Sequence, residues 1–161
     1  MTTIVTDGKT IAADGRTLAG FEIANSASRK LRYVPGSGHP AMIVAVCGVS
    51  AIKEVVCSWL AAGADAAAAP RHTPETDGWS ALVLTAEVPL RRITSVCPYF
   101  EEVPFPFGDG AGGDAALAAV LAGRTPREAV EIVASRWTHT GGEIVALDIA
   151  RTLAEGREVW A

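Results

Sequence analysis

The stretch that most narrows the folding options is the first fifteen residues, MTTIVTDGKTIAADG, in which side chains alternate from the start. Thr3 and Val5 share one face of an extended segment, and Thr2, Ile4 and Thr6 share the other. Asp7-Gly8 is the dipeptide of a tight hairpin turn, which predicts positive φ at both residues and a returning strand over 9–13. Chain ends ordinarily fray. One committed to a sheet from its first residues has a fixed place in the fold.

Further along, residues 21–23 and 30–34 read as short strands, followed by the turn-rich PGSGHP of residues 35–40. Residues 41–47 form a continuous apolar strand that Gly48 ends. Ser50 then serves as N-cap for a helix to about residue 62. Ile52, Val55, Val56, Trp59 and Leu60 recur at helical spacing and predict its buried face. The segment 70–78 reads as loop. Residues 81–87, 91–96 and 99–102 read as an antiparallel meander. A helix opens at Asp114 and ends at Gly123. Thr125-Pro126-Arg127-Glu128 is a capping box with proline at the first helical position, so a second helix runs to about residue 135. Residues 140–142 make a turn, and 143–149 a final strand. Strands, helix, strands, helix pair, strand is the order of an α+β protein with two antiparallel sheets and helices outside them.

Bulk properties set the remaining bounds. The chain has 161 residues, enough for one domain over 1–161 with its own core. Apolar residues make up 49% and charged residues 20%, which excludes disorder. Net charge −4 argues against nucleic acid as a partner, because phosphate binding needs a basic surface. Residues 41–69 are apolar, but Lys53, Glu54 and Asp65 interrupt them, so no membrane span is expected. The start lacks the basic-then-apolar pattern of a signal peptide, and the expected compartment is the cytoplasm. Cys47, Cys57 and Cys97 lack CxxC spacing, so neither zinc nor a disulfide framework is expected. Cys47 reads as a buried small side chain beside a possible pocket. His39, His72 and His139 sit in loops without ligand spacing and read as surface or turn residues. The loop GDGAGG at 108–113 lacks the Gly-Lys-Ser/Thr ending of a phosphate-binding loop, so it reads as a strand-to-helix turn.

A start of this kind would suit one kind of chemistry. Methionine before threonine is a good substrate for removal, which would leave Thr2 with a free α-amine. That amine, with an ordinary pKa of about 7.7–8.0, is a base for its own hydroxyl at working pH. A nearby cation favours the neutral amine, and backbone N–H groups at a helix start can hold an oxyanion.

Matched in order, these features resemble the threonine peptidases of the proteasome β-subunit group, most closely the bacterial HslV-type subunits and related bacterial proteasome homologues. The resemblance rests on Thr2-Thr3-Ile4-Val5, on Ala13-Asp14-Gly15 and on Lys30 sixteen residues after Asp14. It continues through Val46-Cys47-Gly48-Val49-Ser50, Gly110-Ala111-Gly112-Gly113-Asp114-Ala115-Ala116-Leu117 and Thr140-Gly141-Gly142. It implies a four-layer αββα sandwich, the N-terminal nucleophile hydrolase fold. It also implies Thr2 as nucleophile and Lys30 as electrostatic activator held by Asp14. Gly48 would donate to the oxyanion, with Ala111, Gly112 and Thr140 in supporting positions.

No cofactor is implied. The partners implied are peptide or unfolded protein, an ATP-dependent unfoldase, and copies of the same chain in a double ring of roughly twelve or fourteen subunits. The alanine-rich, weakly charged helices suit packing between subunits. Two positions depart from the family pattern. Ala111 stands where a serine is common, and Trp137 where many members carry an aspartate. Two other readings stay open: a ring or scaffold protein with impaired catalysis, and an N-terminal nucleophile amidohydrolase acting on a small amide.

Overall fold

The computed structural model describes residues 1–71, 78–88 and 90–161. Thus His72 and most of the loop expected at 70–78 lie outside the described residues.

The strands are β1 (Ile4–Thr6), β2 (Thr10–Ala13), β3 (Thr17–Ala19), β4 (Glu22–Asn25), β5 (Leu31–Val34), β6 (Met42–Cys47), β7 (Ser80–Thr85), β8 (Arg91–Thr94), β9 (Cys97–Glu102), β10 (Phe107–Asp109) and β11 (Val145–Asp148). The helices are α1 (Ile52–Ala61), α2 (Gly113–Leu121), α3 (Pro126–Arg136) and α4 (Ile149–Glu155). One antiparallel sheet has the order β10-β1-β2-β11 and another β5-β6-β7-β8-β9. A third, two-stranded sheet pairs β3 with β4. The chain is therefore a mixed α/β protein of antiparallel sheets and four helices among the described residues.

Strand alternation sorts the core. Ile4, Ile11, Ala13 and Leu147 of the first sheet meet Leu31, Ile43, Ala45 and Leu82 of the second. Their odd-even neighbours Val5, Ala12 and Ala146 turn the other way, onto Ala116 of α2 and Ala129, Val130 and Val133 of α3. Val44, Val46, Ala81 and Val83 turn away likewise, onto Ile52, Val56, Trp59 and Leu60 of α1. A one-residue slip of β1 or β6 would exchange these faces, so the register is strongly specified.

Several expectations need correction. At the first hairpin only Gly8 has positive φ (91°). Asp7 instead accepts from Lys9 N–H and Thr10 N–H, at 2.8 Å each, and its carboxylate forms the turn. The N-cap of α1 is Ala51, without a side-chain cap. Ser50 is left outside the helix, where its hydroxyl donates to Thr17 Oγ1 at 3.5 Å. Val55 is 51% exposed, and Cys57 takes its place on the buried face. The final strand is shorter than residues 143–149, because Asp148 caps α4 by accepting from Arg151 N–H at 2.8 Å. The capping box of α3 is present as read, with Thr125 and Glu128 bonded reciprocally.

Candidate active site at the start of β1

The topology gathers the candidate residues at one end of both large sheets. β1 and β10 run antiparallel with Ile4 opposite Asp109, so the start of β1 lies beside the end of β10. Ile4 also faces Ala13, which puts the end of β2 there. In the other sheet Leu31 faces Ala45, and Cys47 faces Ser80. Thr2, Asp14, Lys30, Gly48 and the loop 110–112 each sit one or a few residues beyond those strand ends.

Asp14 is the hub. It is fully buried, and its two carboxylate oxygens accept four hydrogen bonds. Oδ1 accepts from Lys30 Nζ at 2.7 Å and from Thr3 N–H at 2.8 Å. Oδ2 accepts from Arg16 N–H and Gly141 N–H, both at 3.2 Å. One carboxylate thus joins β1, the start of β5 and the turn at 140–142. Lys30, 7% exposed, also donates to the Arg16 carbonyl at 2.9 Å and to the Met1 carbonyl at 3.3 Å. Burial pulls the Lys30 ammonium below its ordinary pKa, and the charge of Asp14 opposes that shift.

Thr2 is 4% exposed, and its carbonyl accepts from Gly112 N–H at 3.4 Å. In front of it lies a cavity of about 370 Å³, bordered by Met1, Lys30, Gly48, Gly110 and Ala111. With Met1 in place the nitrogen of Thr2 is an amide, which is no base. Met1 itself is 54% exposed at the cavity wall. Gly48 has φ +140°, and a methyl there would lie 3.0 Å from Trp79 Cβ, so glycine is needed at the end of β6.

The supporting positions divide. Gly112 touches Thr2 as described. Ala111 is exposed at the cavity and brings no hydroxyl. Thr140 is buried, with its hydroxyl 2.8 Å from Thr3 Oγ1. Trp137 is 42% exposed and caps the end of α3.

Cys47 borders the cavity and is buried. Burial, reinforced by the charge of Asp109, pushes its thiol far above the ordinary range, so it is a wall and not a nucleophile. His39 is tied down: its two ring nitrogens lie 2.9 Å from the Pro40 carbonyl oxygen and 3.0 Å from that of Ala61, each within hydrogen-bond distance of an acceptor. Arg16 was not singled out in the sequence, although it follows Asp14-Gly15 directly and borders the cavity. A charged residue two positions after the hub aspartate was the available signal.

Among the described residues no group of three or more His, Cys, Asp or Glu could hold a metal ion. No helix there is long and apolar enough to cross a membrane.

No family model and no curated protein matches the chain. Among solved structures it is similar to one described as "Thiobacillus denitrificans BPH". The two are 19% identical with a TM-score of 0.63, over 91% of this chain and 95% of that one. At that identity the likeness speaks for a shared fold.

Proposed function

We propose that the chain is a threonine-dependent peptidase subunit with the αββα sandwich of the N-terminal nucleophile hydrolases, acting after removal of Met1. One observation carries the reading. A buried lysine, paired with a fully buried aspartate, donates to the carbonyl of residue 1 at the edge of a cavity. Removal of Met1 takes that carbonyl away and leaves a free amine where it was attached. The ammonium beside it disfavours a second positive charge and keeps the amine a base.

In this reading the α-amine of Thr2 takes the proton of its own hydroxyl as the oxygen attacks the scissile carbonyl. Gly48 N–H donates to the oxyanion. The C–N bond breaks, the leaving amine takes the proton back, and an ester to Thr2 remains. Water, deprotonated by the same amine, then attacks the ester and releases the acid. These steps require neither metal nor organic cofactor. The substrate is a peptide or an unfolded protein, and an ATP-driven unfoldase would deliver the latter.

An assembly of like chains supports such chemistry by enclosing it. Phe21, Val96, Tyr99 and Leu121 are 98%, 84%, 69% and 69% exposed, large apolar side chains that contacts between like chains would cover. We place the chain in a closed homo-oligomer, a double ring of roughly twelve or fourteen subunits. Native mass spectrometry reads that directly, and a stable active monomer would overturn it.

The test of the chemistry is covalent. Intact mass should show loss of Met1, and a peptide vinyl sulfone should label Thr2. Thr2→Ala should abolish both labelling and peptide hydrolysis while the fold is retained. Retention of Met1 in active material removes Thr2 from the mechanism. A ring or scaffold role with impaired catalysis is the second reading. It is favoured by Ala111 and by Thr140, whose hydroxyl is engaged by Thr3. An assembled, Met1-free protein that resists the vinyl sulfone would establish it.

A further inference from the structure

Two ion pairs, each with a buried carboxylate, join the two large sheets. Lys30, just before β5, reaches Asp14, just after β2, at 2.7 Å. The other joins Arg92 of β8 to Asp109 of β10, with Nη2 3.5 Å from Oδ1. Asp109 stands opposite Ile4, and Arg92 opposite Leu82. Ile4 and Leu82 face the layer between the sheets, so their partners share that face. β1 runs between β10 and β2, and β6 and β7 run between β5 and β8. The start of β1, with Thr2, is therefore flanked on either side by a tie from one sheet to the other.

Little besides Arg92 holds the charge of Asp109, which is 8% exposed. Its Oδ1 also accepts from Gly110 N–H at 2.9 Å. Its Oδ2 is buried without a hydrogen-bond partner among the described residues, as is Arg92 Nε. Without Arg92 the carboxylate would keep a single N–H donor in a buried place. It would turn toward water and draw the adjoining loop with it. That loop bears directly on Thr2. Gly110 packs so close to the Thr2 carbonyl that a methyl there would collide with it, and Gly112 N–H donates to the same oxygen at 3.4 Å. Gly48 ends β6 of the other sheet, so its separation from Thr2 is a separation between sheets.

We infer that Arg92 and Asp109 are positioning residues: their ion pair holds the loop 110–112, and with it Thr2, at the distance from Gly48 that the reaction needs. The inference rests on the peptidase reading for its chemistry, but the placement of the loop is measurable without turnover. A misplacement of about 1 Å can cost on the order of 100-fold in rate. The loss falls on kcat, because substrate still enters the cavity while its carbonyl misses the Gly48 donor.

The test compares Arg92→Gln with Arg127→Gln, which breaks an exposed pair with Glu131 at the same 3.5 Å. With a fluorogenic peptide, Arg92→Gln should lower kcat at least about tenfold and leave KM within about twofold of wild type. Arg127→Gln should change neither. Hydrogen-exchange mass spectrometry reads the loop itself. In Arg92→Gln, exchange over residues 109–113 should rise at least about tenfold more than over 42–47, the core strand β6, because the opening is local. A variant that is merely less stable would raise both together. The double variant Arg92→Met, Asp109→Asn leaves no unpaired charge, so it decides the matter where Arg92→Gln does not fold. It still lacks the tie and should show the same two changes. A kcat within about twofold of an active wild type, in whichever variant is folded, overturns the inference. So does exchange that rises equally in the two segments or in neither. A wild type that hydrolyses nothing sinks the peptidase reading alone. The selective rise over 109–113 then still supports the tie, and its absence overturns it.

Discussion

Lys30 Nζ lies 2.7 Å from Asp14 Oδ1, with the lysine 7% exposed and the aspartate fully buried. Taking both charges out of water is costly, and the pair persists because Asp14 also accepts three backbone N–H groups. Asp14→Asn strands the ammonium in the interior and should cost about 3–5 kcal/mol in urea unfolding. Adding Lys30→Met should return part of that loss, since the uncompensated charge goes with it. A single variant within about 0.5 kcal/mol of wild type would show that the pair is not closed off from water.

Lys30 should also be exacting in its chemistry. Lys30→Ala should lower kcat by at least about 100-fold with little change in KM, as befits a group that acts on the nucleophile. Lys30→Arg should be nearly as poor, because a planar fork cannot reproduce the donations of a compact ammonium to Asp14 Oδ1 at 2.7 Å and the Arg16 carbonyl at 2.9 Å. A rate near wild type in Lys30→Ala would return Lys30 to a purely structural role.

The pH dependence has a definite sign. Burial lowers the Lys30 pKa below 10.5, so between the lowered value and 10.5 the unfolded chain holds more protons than the folded one. Stability should therefore rise with pH through that window, apart from other groups. Lys30→Met should flatten that rise. Loss of the charge should also bring the alkaline fall of kcat below pH 10.5, measured with a neutral peptide. A fall only above 10.5 would contradict the shift.

How much of this was legible in the sequence follows from which forces fix each part. β6 and the α3 capping box were readable because a run of apolar residues and a Thr-Pro-x-Glu signal act locally. Asp14 and Lys30 were readable through their spacing in a resemblance, not through any local rule. β3 and β10, three residues each, were missed because their strand character comes from pairing with β4 and β1. α4 was missed although its signals were present. The apolar run of β11 continues into Ile149, and that masked Asp148 as an N-cap and Gly156, at φ +68°, as the C-cap. Arg16 was missed because nothing local separates a cation that borders a cavity from one in solvent.

The three thiols should separate cleanly. Cys97 is exposed, whereas Cys47 and Cys57 are buried. Burial pushes the Cys57 thiol up to about 11 and the Cys47 thiol higher still. Iodoacetamide at pH 8 should give a single fast adduct, mapped to Cys97, because only a thiolate reacts. Labelling of Cys47 at a comparable rate would mean that the cavity wall beside Thr2 opens to reagent.

The loop that carries Gly110 offers the sharpest comparison, because Gly123 has nearly the same backbone. Their φ values are +82° and +88°, so a side chain at either costs about 1–2 kcal/mol from the left-handed conformation alone. What differs is the surroundings. A methyl on Gly123 meets nothing within 4 Å, whereas one on Gly110 runs into the Thr2 carbonyl and lies 3.0 Å from Cys47 Sγ. Gly112, two residues on, donates its N–H to that same carbonyl. Displacing the loop would therefore move Thr2 off its support at the cavity. Gly123→Ala should lose about 1–2 kcal/mol in thermal or urea unfolding and keep its peptide hydrolysis. Gly110→Ala should lose clearly more and should also forfeit labelling by the vinyl sulfone under conditions where it is still folded. Equal losses in the two variants would show that the loop yields freely and that Thr2 does not depend on it.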